Sequence, residues 1–420
     1  MKKERHIVVI IFFVSITLFS CKGNINSIVQ GKLAWDTLIE KNDTLLTPYY
    51  LPTHVNLQEK HKAIYLFDPQ GKPENVLSQY APLAEKYGVL LFGFKAYQNG
   101  QDVQKLIANF KSWKKHILSD FPIDSSKVFL AGFSGGAQFA SMLIQGTIRP
   151  KGVLLTGLFA PTIQYFDGQV MLICGIRDFN YQHFLQFFLQ KTPANIHFLF
   201  FDGKHEWPDT TMFEHYLVNS EGAYTSTFQK KVTQLVDKWL SEKKYLLLFL
   251  NLPYLSIYLP KNKTQQVFNE VSSAFDFNAY LKDFQQELNQ QQVLLNKMVS
   301  GDTIYFKNWL DSLSQVNTKS QNILVDQRTE RCKAYAGIVL YSLTKDAFNK
   351  KSTLLPAYLK MYELVEPKNT EMLVFKAAFL ADQGQCEKAK IILDKAYKTG
   401  FNDKKRLYKM PEFSRCRSIL

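Results

Sequence analysis

Cysteine is scarce in this chain, with five in 420 residues, and none falls in a CxxC pair or at a Cys/His spacing that builds a zinc site. That excludes a disulfide-dense scaffold and a structural metal module. Long apolar runs are missing as well. The two candidates, Ile7 to Phe19 and Tyr245 to Leu259, are shorter than the roughly 20 residues a membrane-spanning helix needs, and the second is broken by Asn251 and Pro253. It reads as a connector between domains, or as a patch touching a membrane surface. Acidic residues are outnumbered 37 to 51 by Lys and Arg, a formal net charge of +14. A basic excess suits nucleic-acid binding through phosphate neutralisation. Here the cations are dispersed rather than clustered, so a solvated surface near anionic lipids is expected and a nucleic-acid partner is not.

The chain does carry apolar mass, with 33 Phe and 21 Tyr, enough for packed cores rather than disorder. Its length exceeds what one hydrophobic core usually organises, so two domains are expected. The N-terminus runs from Lys2, Lys3 and Arg5 into the apolar stretch and reaches Leu18-Phe19-Ser20-Cys21. This is the layout of an export signal over residues 1–20. The last four residues resemble the lipobox of bacterial lipoproteins, which implies lipidation at Cys21. No Asp follows Cys21, so the expected location is the cell envelope, lipid-anchored at the outer membrane and facing the periplasm. Of the remaining cysteines, Cys332, Cys386 and Cys416 could supply a disulfide in an oxidising compartment.

After a tether and first strand over 21–39, apolar β-rich runs alternate with helix-period segments to about residue 242. That pattern gives an α/β class with a doubly wound, mostly parallel sheet. The expected strands are Ala63 to Phe67, Val89 to Phe94, Val128 to Gly132, Gly152 to Thr156, Val170 to Gly175 and Ile196 to Phe201, after an antiparallel hairpin within 26–52. Between them, Val103, Leu106, Ile107, Phe110, Trp113 and Ile117 recur at spacings of three or four, one apolar helix face over Asp102 to Leu118. Thr227 to Leu240 reads as the last covering helix. Residues 243–264 form the connector, and 265–420 read as all helical. From Leu355 to Gly400 the spacing resembles tetratricopeptide helix pairs, which implies either a small packed domain or a surface for a protein partner.

The chemical signal is Gly132-Phe133-Ser134-Gly135-Gly136, a G-x-S-x-G run preceded by a strand and followed by a helix-compatible segment, Ala137 to Ile144. A strand, a sharp turn and a helix make a nucleophile elbow, in which the glycines remove Cβ clashes. A serine hydroxyl needs an imidazole to take its proton and a carboxylate to orient that imidazole. In this arrangement the acid and the histidine follow the serine in chain order, each on a loop at the carboxyl end of a strand. Asp178 follows Val170 to Gly175, and His205 follows Ile196 to Phe201 in a Gly-containing loop. Asp167 precedes its strand, and Asp202 lies too close in sequence to reach the far ring nitrogen. The other seven of the eight histidines fall in the signal, before the serine, inside helices or strands, or beyond the site. Two backbone N–H donors must face the developing oxyanion. Gly135 supplies one, and the loop Asp68-Pro69-Gln70-Gly71 supplies the other. Proline has no N–H, so Gln70 is the expected donor and Asp68 its rival.

Taken together, Tyr65-Leu66-Phe67-Asp68-Pro69-Gln70-Gly71, the serine elbow, Gly175-Ile176-Arg177-Asp178 and Gly203-Lys204-His205-Glu206-Trp207-Pro208 resemble the α/β-hydrolase superfamily. The similarity is to its esterase, polyhydroxybutyrate-depolymerase-like or dienelactone-hydrolase-like branch, over roughly residues 40–242. The resemblance implies a triad of Ser134, Asp178 and His205, and a carboxylic-ester hydrolase with no cofactor or metal. Its expected substrate is a small-molecule or glycan-linked ester outside the cytoplasm. A serine peptidase on the same fold, and a silent envelope binding or assembly protein using the helical region, are the alternatives. Where many relatives carry His-Gly at the oxyanion loop, this chain has Asp68-Pro69. Close strand spacing leaves little room for a large inserted lid, so an open site is expected.

Overall fold

The computed structural model describes residues 28–40, 43–221, 225–319 and 323–420; the expected export signal over 1–20 and Cys21 lie outside them. Eight strands, β1 (Ala34–Glu40), β2 (Asp43–Tyr50), β3 (His61–Phe67), β4 (Leu90–Gly93), β5 (Ile123–Phe133), β6 (Gly152–Thr156), β7 (Gln169–Gly175) and β8 (Ile196–Phe201), form one sheet in the order β1-β2-β4-β3-β5-β6-β7-β8. The hairpin β1–β2 and the pair β2–β4 are antiparallel, and every other neighbour is parallel. Strands β3 to β8 are apolar because helices cover both faces, as parallel sheets require. One strand departs from expectation, since β5 begins at Ile123 rather than Val128. A register shift between His61 and Ala63 lets β3 pair with both Ile123 and Val128, across an exposed polar stretch.

The covering helices are α1 (Pro73–Tyr87), α2 (Val103–Asp120), α3 (Gly135–Leu143), α4 (Tyr181–Phe188), α5 (Thr210–Glu221), α6 (Ser226–Ser241) and α7 (Tyr245–Leu255). Asp102 starts α2 by accepting from the Lys105 N–H at 2.7 Å, a side-chain N-cap. The expected apolar face follows, burying Leu106, Phe110, Trp113 and Ile117. Trp113 meets Tyr65 and Phe94 at ring separations of 5.0 and 5.2 Å, while its indole N–H reaches Thr47 Oγ1 at 2.7 Å. Elsewhere Tyr80 of α1 stacks on Phe213 of α5, and Tyr216 donates to the Leu130 carbonyl of β5.

The segment Tyr245 to Leu259 opens with α7, in which Leu246, Leu247, Leu248 and Leu250 are buried against the protein instead of facing a membrane surface. Asn251 explains its docking: Oδ1 accepts from the Phe200 N–H at 2.8 Å and Nδ2 donates to the Phe200 carbonyl at 2.9 Å. β8 is an edge strand, and this side chain satisfies backbone groups that would otherwise be exposed or orphaned.

Helices α8 (Lys261–Ala274), α9 (Phe277–Val299), α10 (Thr303–Lys319), α11 (Ile323–Asn349), α12 (Leu355–Val365), α13 (Thr370–Asp382), α14 (Cys386–Lys398) and α15 (Lys404–Lys409) make up the rest, with a terminal 3-10 segment. The described residues form two hydrophobic cores, and α9 belongs to both. Tyr280 and Phe284 join the sheet's core, while Leu294 and Met298 join a second core that continues to Cys416. The physical boundary between the two regions therefore runs through α9. Cys386 and Cys416 form a disulfide that ties α14 to the C-terminal segment, and Cys332 is free and buried.

His215 of α5 is fully enclosed, its Nδ1 has no hydrogen-bond partner, and the rings of Phe228 and Tyr254 pack on it. Burial pushes its pKa down from 6.5 to about 4, against the opposing charge of Glu214. Because the unfolded chain takes up this proton first, His215 contributes fully to stability above pH 6.5, and the contribution is lost as pH falls from 6.5 towards 4. In urea titrations across that window, replacing His215 by Gln should flatten the pH dependence by up to about 3 kcal/mol. An unchanged slope would show that His215 does not titrate with unfolding.

Candidate active site

The chain runs outward along β4 from β3 and then returns to β5 on the other side of β3, so a crevice opens beyond the carboxyl ends of β3 and β5. Ser134 sits there as the single residue between β5 and α3. Its φ of 52° is left-handed, a conformation that costs a non-glycine residue on the order of 1–3 kcal/mol. The surroundings impose it. The Ser134 N–H donates to the Thr156 carbonyl at 2.8 Å. A Cβ at Gly132 would stand 2.5 Å from the Gly136 carbonyl oxygen, and one at Gly136 would collide with the Phe67 carbonyl. Strand β3, strand β5 and helix α3 can meet this closely only with glycine at both positions.

The loops after β7 and β8 bring the other two expected residues to Ser134. His205 Nε2 lies 2.8 Å from Ser134 Oγ, and His205 Nδ1 lies 2.9 Å from Asp178 Oδ2. The rings of Phe133 and Phe179 stand 4.7 and 4.3 Å from the imidazole and restrict its rotation. Asp178 is 1% exposed. Its second oxygen accepts from the Asn180 N–H at 2.8 Å, and the Asn180 side chain donates to the Gly157 carbonyl at 2.7 Å. Thus the loops after β6 and β7 are tied together around the acid.

Competing groups are engaged elsewhere. Asp202 pairs with Arg177 at 2.8 Å and Lys244 at 3.2 Å. His116 pairs with Asp36 at 2.6 Å, and burial lowers the pKa of both His183 and His197. Among the described residues, no group of three His, Cys, Asp or Glu side chains is placed to hold a metal ion.

The oxyanion assignment needs one correction. The Gln70 N–H donates to Asp68 Oδ2 at 3.0 Å, and the Lys72 N–H reaches the same oxygen at 3.1 Å. Asp68 Oδ1 in turn accepts from the Trp207 indole at 3.0 Å. This carboxylate, 7% exposed, replaces the His of the resembled motif and consumes the donor that a neutral residue would leave free. Gly135, by contrast, opens on the cleft. A Cβ at Gly135 would stand 2.0 Å from Asn99 Oδ1, which accepts from Tyr97 Oη at 2.9 Å. Burial and the nearby Asp68 charge raise the Tyr97 pKa to about 12, so its hydroxyl stays a donor at neutral pH. Sequence reasoning passed over Asn99. Its signal was position, since Tyr97-Gln98-Asn99-Gly100 follows β4 at the sheet's carboxyl end, where such folds bind ligands.

Also missed was the part played by the helical region. Arg331 of α11, 4% exposed, donates to the Ile176 carbonyl at 2.8 Å, two residues before Asp178. It grips Glu287 of α9 through two bonds of 3.1 and 2.7 Å and lies 5.0 Å over the Tyr181 ring. Tyr280 donates to the Tyr181 hydroxyl at 3.0 Å, and Arg177 reaches Glu330 at 3.0 Å. Ile338 of α11 lines the Ser134 cleft, a cavity of about 710 Å³ that also takes in Tyr97, Asn99, Phe179 and His205. The site is walled on one side by a helix from the second region.

Sheet order, antiparallel lead-in and serine elbow together define the α/β-hydrolase fold, joined to a large helical region. No family model and no curated protein matches the chain. Among solved structures, it is similar to Est1E from Butyrivibrio proteoclasticus at 11% identity and a TM-score of 0.38, over 45% of this chain and 99% of that one. A feruloyl esterase module from Clostridium thermocellum aligns at 14% identity and 0.38, over 46% and 87%. The fluorophosphonate-binding serine hydrolase FphF of Staphylococcus aureus aligns at 12% and 0.36, over 45% and 99%. Each likeness covers less than half of this chain.

Removing the Arg331 side chain strands Glu287, itself 2% exposed. Breaking a buried pair from one side costs about 3–5 kcal/mol. Arg331→Ala should therefore lower the unfolding free energy obtained from chemical denaturation by that amount, with a similar loss in Glu287→Ala. A loss below about 1 kcal/mol would mean that this contact does not hold the two regions together.

Proposed function

We propose that the protein is a serine hydrolase acting on carboxylic esters outside the cytoplasm, with Ser134 as nucleophile, His205 as general base and Asp178 as the group that orients it. The observation that carries this reading is the unbroken relay from Asp178 Oδ2 to His205 to Ser134 Oγ, at 2.9 and 2.8 Å. Ser134 Oγ attacks the ester carbonyl while His205 Nε2 takes its proton, and the tetrahedral oxyanion forms beside the Gly135 N–H. Collapse expels the alcohol, protonated by His205, and leaves an acyl-enzyme. Water then attacks the acyl carbon as His205 accepts its proton, and Ser134 leaves with the proton returned.

With the Gln70 N–H turned to Asp68, the second oxyanion donor is assigned to the Asn99 side-chain amide. Its carbonyl is engaged by Tyr97, which leaves Nδ2 to donate. Side-chain amides serve this role as well as backbone N–H groups do. The signal-like N-terminus and lipobox-like Cys21 support an envelope location in this reading, with small or glycan-linked esters as substrates and the helical region as a docking surface for a protein partner.

Hydrolysis of short chromogenic acyl esters tests the assignment. Asp178→Asn should lower kcat on the order of 10⁴-fold by favouring the wrong imidazole tautomer. Asn99→Ala should lower kcat by about 10²-fold or more with KM little changed. A wild-type rate no greater than that of Ser134→Ala would overturn the esterase reading, and an unaffected Asn99→Ala would return the second donor to the backbone.

A further inference from the structure

A second cavity of about 940 Å³ adjoins the Ser134 cleft, and Gln98 lines both. One helix connects them. Ile338, Tyr341, Lys345 and Phe348 recur at spacings of three, four and three along α11, so they lie on a single helix face. Ile338 faces the nucleophile's cleft, and the other three line the second cavity. The helix rises about 1.5 Å per residue, which sets Lys345 about 10 Å along α11 from Ile338.

The second cavity has an aromatic side and a cationic side. Phe375 packs between Tyr341 and Phe348 at ring separations of 6.4 and 5.2 Å. Lys345, Lys405 and Lys409 reach the cavity from α11 and α15, and none of them makes an ion pair with a carboxylate among the described residues. The carboxylates there are differently disposed. Glu371 is held by Arg406 through two bonds of 2.6 and 2.7 Å. Asp403 caps α15 by accepting from the Arg406 N–H at 3.0 Å. Asp403 keeps its charge, so Asp403 and Glu412 stand against the three lysines; four cations against three carboxylates leave the lining with a small positive excess.

We infer that this cavity is a subsite for a distal carboxylate-bearing part of the same substrate whose ester carbonyl lies at Ser134. The inference rests on the ester-hydrolase reading and names the substrate class within it: an extended ester with an anionic group roughly 10 Å or more from the scissile bond, its apolar or sugar-ring midsection lying along the α11 face. The helical region is then a specificity element, and short neutral esters are incomplete substrates because they leave the subsite empty.

The test compares kcat/KM for two pairs of chromogenic esters: a dodecanedioic acid monoester against the dodecanoate ester, and an ester carrying a carboxylate at the far end of its alcohol against its neutral counterpart. Wild-type protein should prefer the carboxylate-bearing member of at least one pair by about tenfold. The preference should shrink towards unity in Lys345→Ala/Lys409→Ala and weaken with added salt, since exposed charges are screened. The ratio within a pair, rather than either rate, is the readout, so a general loss of activity in the variant does not imitate the effect. Ratios near one in the wild type, or a preference that survives the double substitution, would overturn the subsite. Absence of turnover on every ester, including short acetates, would instead remove the hydrolase reading, and the subsite with it.

Discussion

Asp178 is the residue on which the geometry of the site depends. A carboxylate that is 1% exposed is tolerable only if its oxygens are hydrogen-bonded, and each has its partner: the Asn180 N–H on one, the His205 ring on the other. Those bonds exist only while the loop after β7 keeps its shape, and the loop is held from several directions. Asn180 ties it to the Gly157 carbonyl, Arg331 takes the Ile176 carbonyl, and Arg177 links it to Asp202 and Glu330. Two of these anchors come from α11. The position of the imidazole opposite Ser134 therefore depends on helices far along the chain from the sheet.

This dependence gives the helical region a structural reason to be present. α9 carries Tyr280 and Phe284 into the sheet's core at one end and Leu294 and Met298 into the second core at the other, so the two regions share a continuous rigid element. Buried ion pairs are weak sources of net stability but costly to break from one side. An Arg331–Glu287 pair buried between them fixes how α9 and α11 meet the acid loop, and with it the wall that Ile338 offers to the cleft.

Much of this was legible in the sequence wherever a local pattern carried it. The apolar runs of β3 to β8 and the three-four spacing of α2 fix local structure through burial alone. The G-x-S-x-G elbow is a backbone constraint written in glycines. Asp178 and His205 could be found because chain order and strand ends confine them. What stayed hidden depends on contacts between distant segments. What Tyr245 to Leu259 packs against appears only when Asn251 is seen meeting the backbone of edge strand β8. Gln70 reads as a donor until the Asp68 carboxylate is seen taking its N–H. Nothing near Arg331 in sequence points to Ile176, 155 residues away. The pairing of Cys386 with Cys416, rather than with Cys332, is likewise decided by how α14 packs on the C-terminal segment.

The central claim is that Ser134 is chemically activated by the His205–Asp178 pair, and covalent trapping tests it most directly. Protein lacking residues 1–20 would be treated with a fluorophosphonate probe and the modified peptide mapped by mass spectrometry, beside Ser134→Ala and His205→Ala. The account predicts one adduct, on Ser134, absent from the first variant and formed far more slowly in the second. Folded wild-type protein that takes up no probe, or takes it up at another residue, would contradict it.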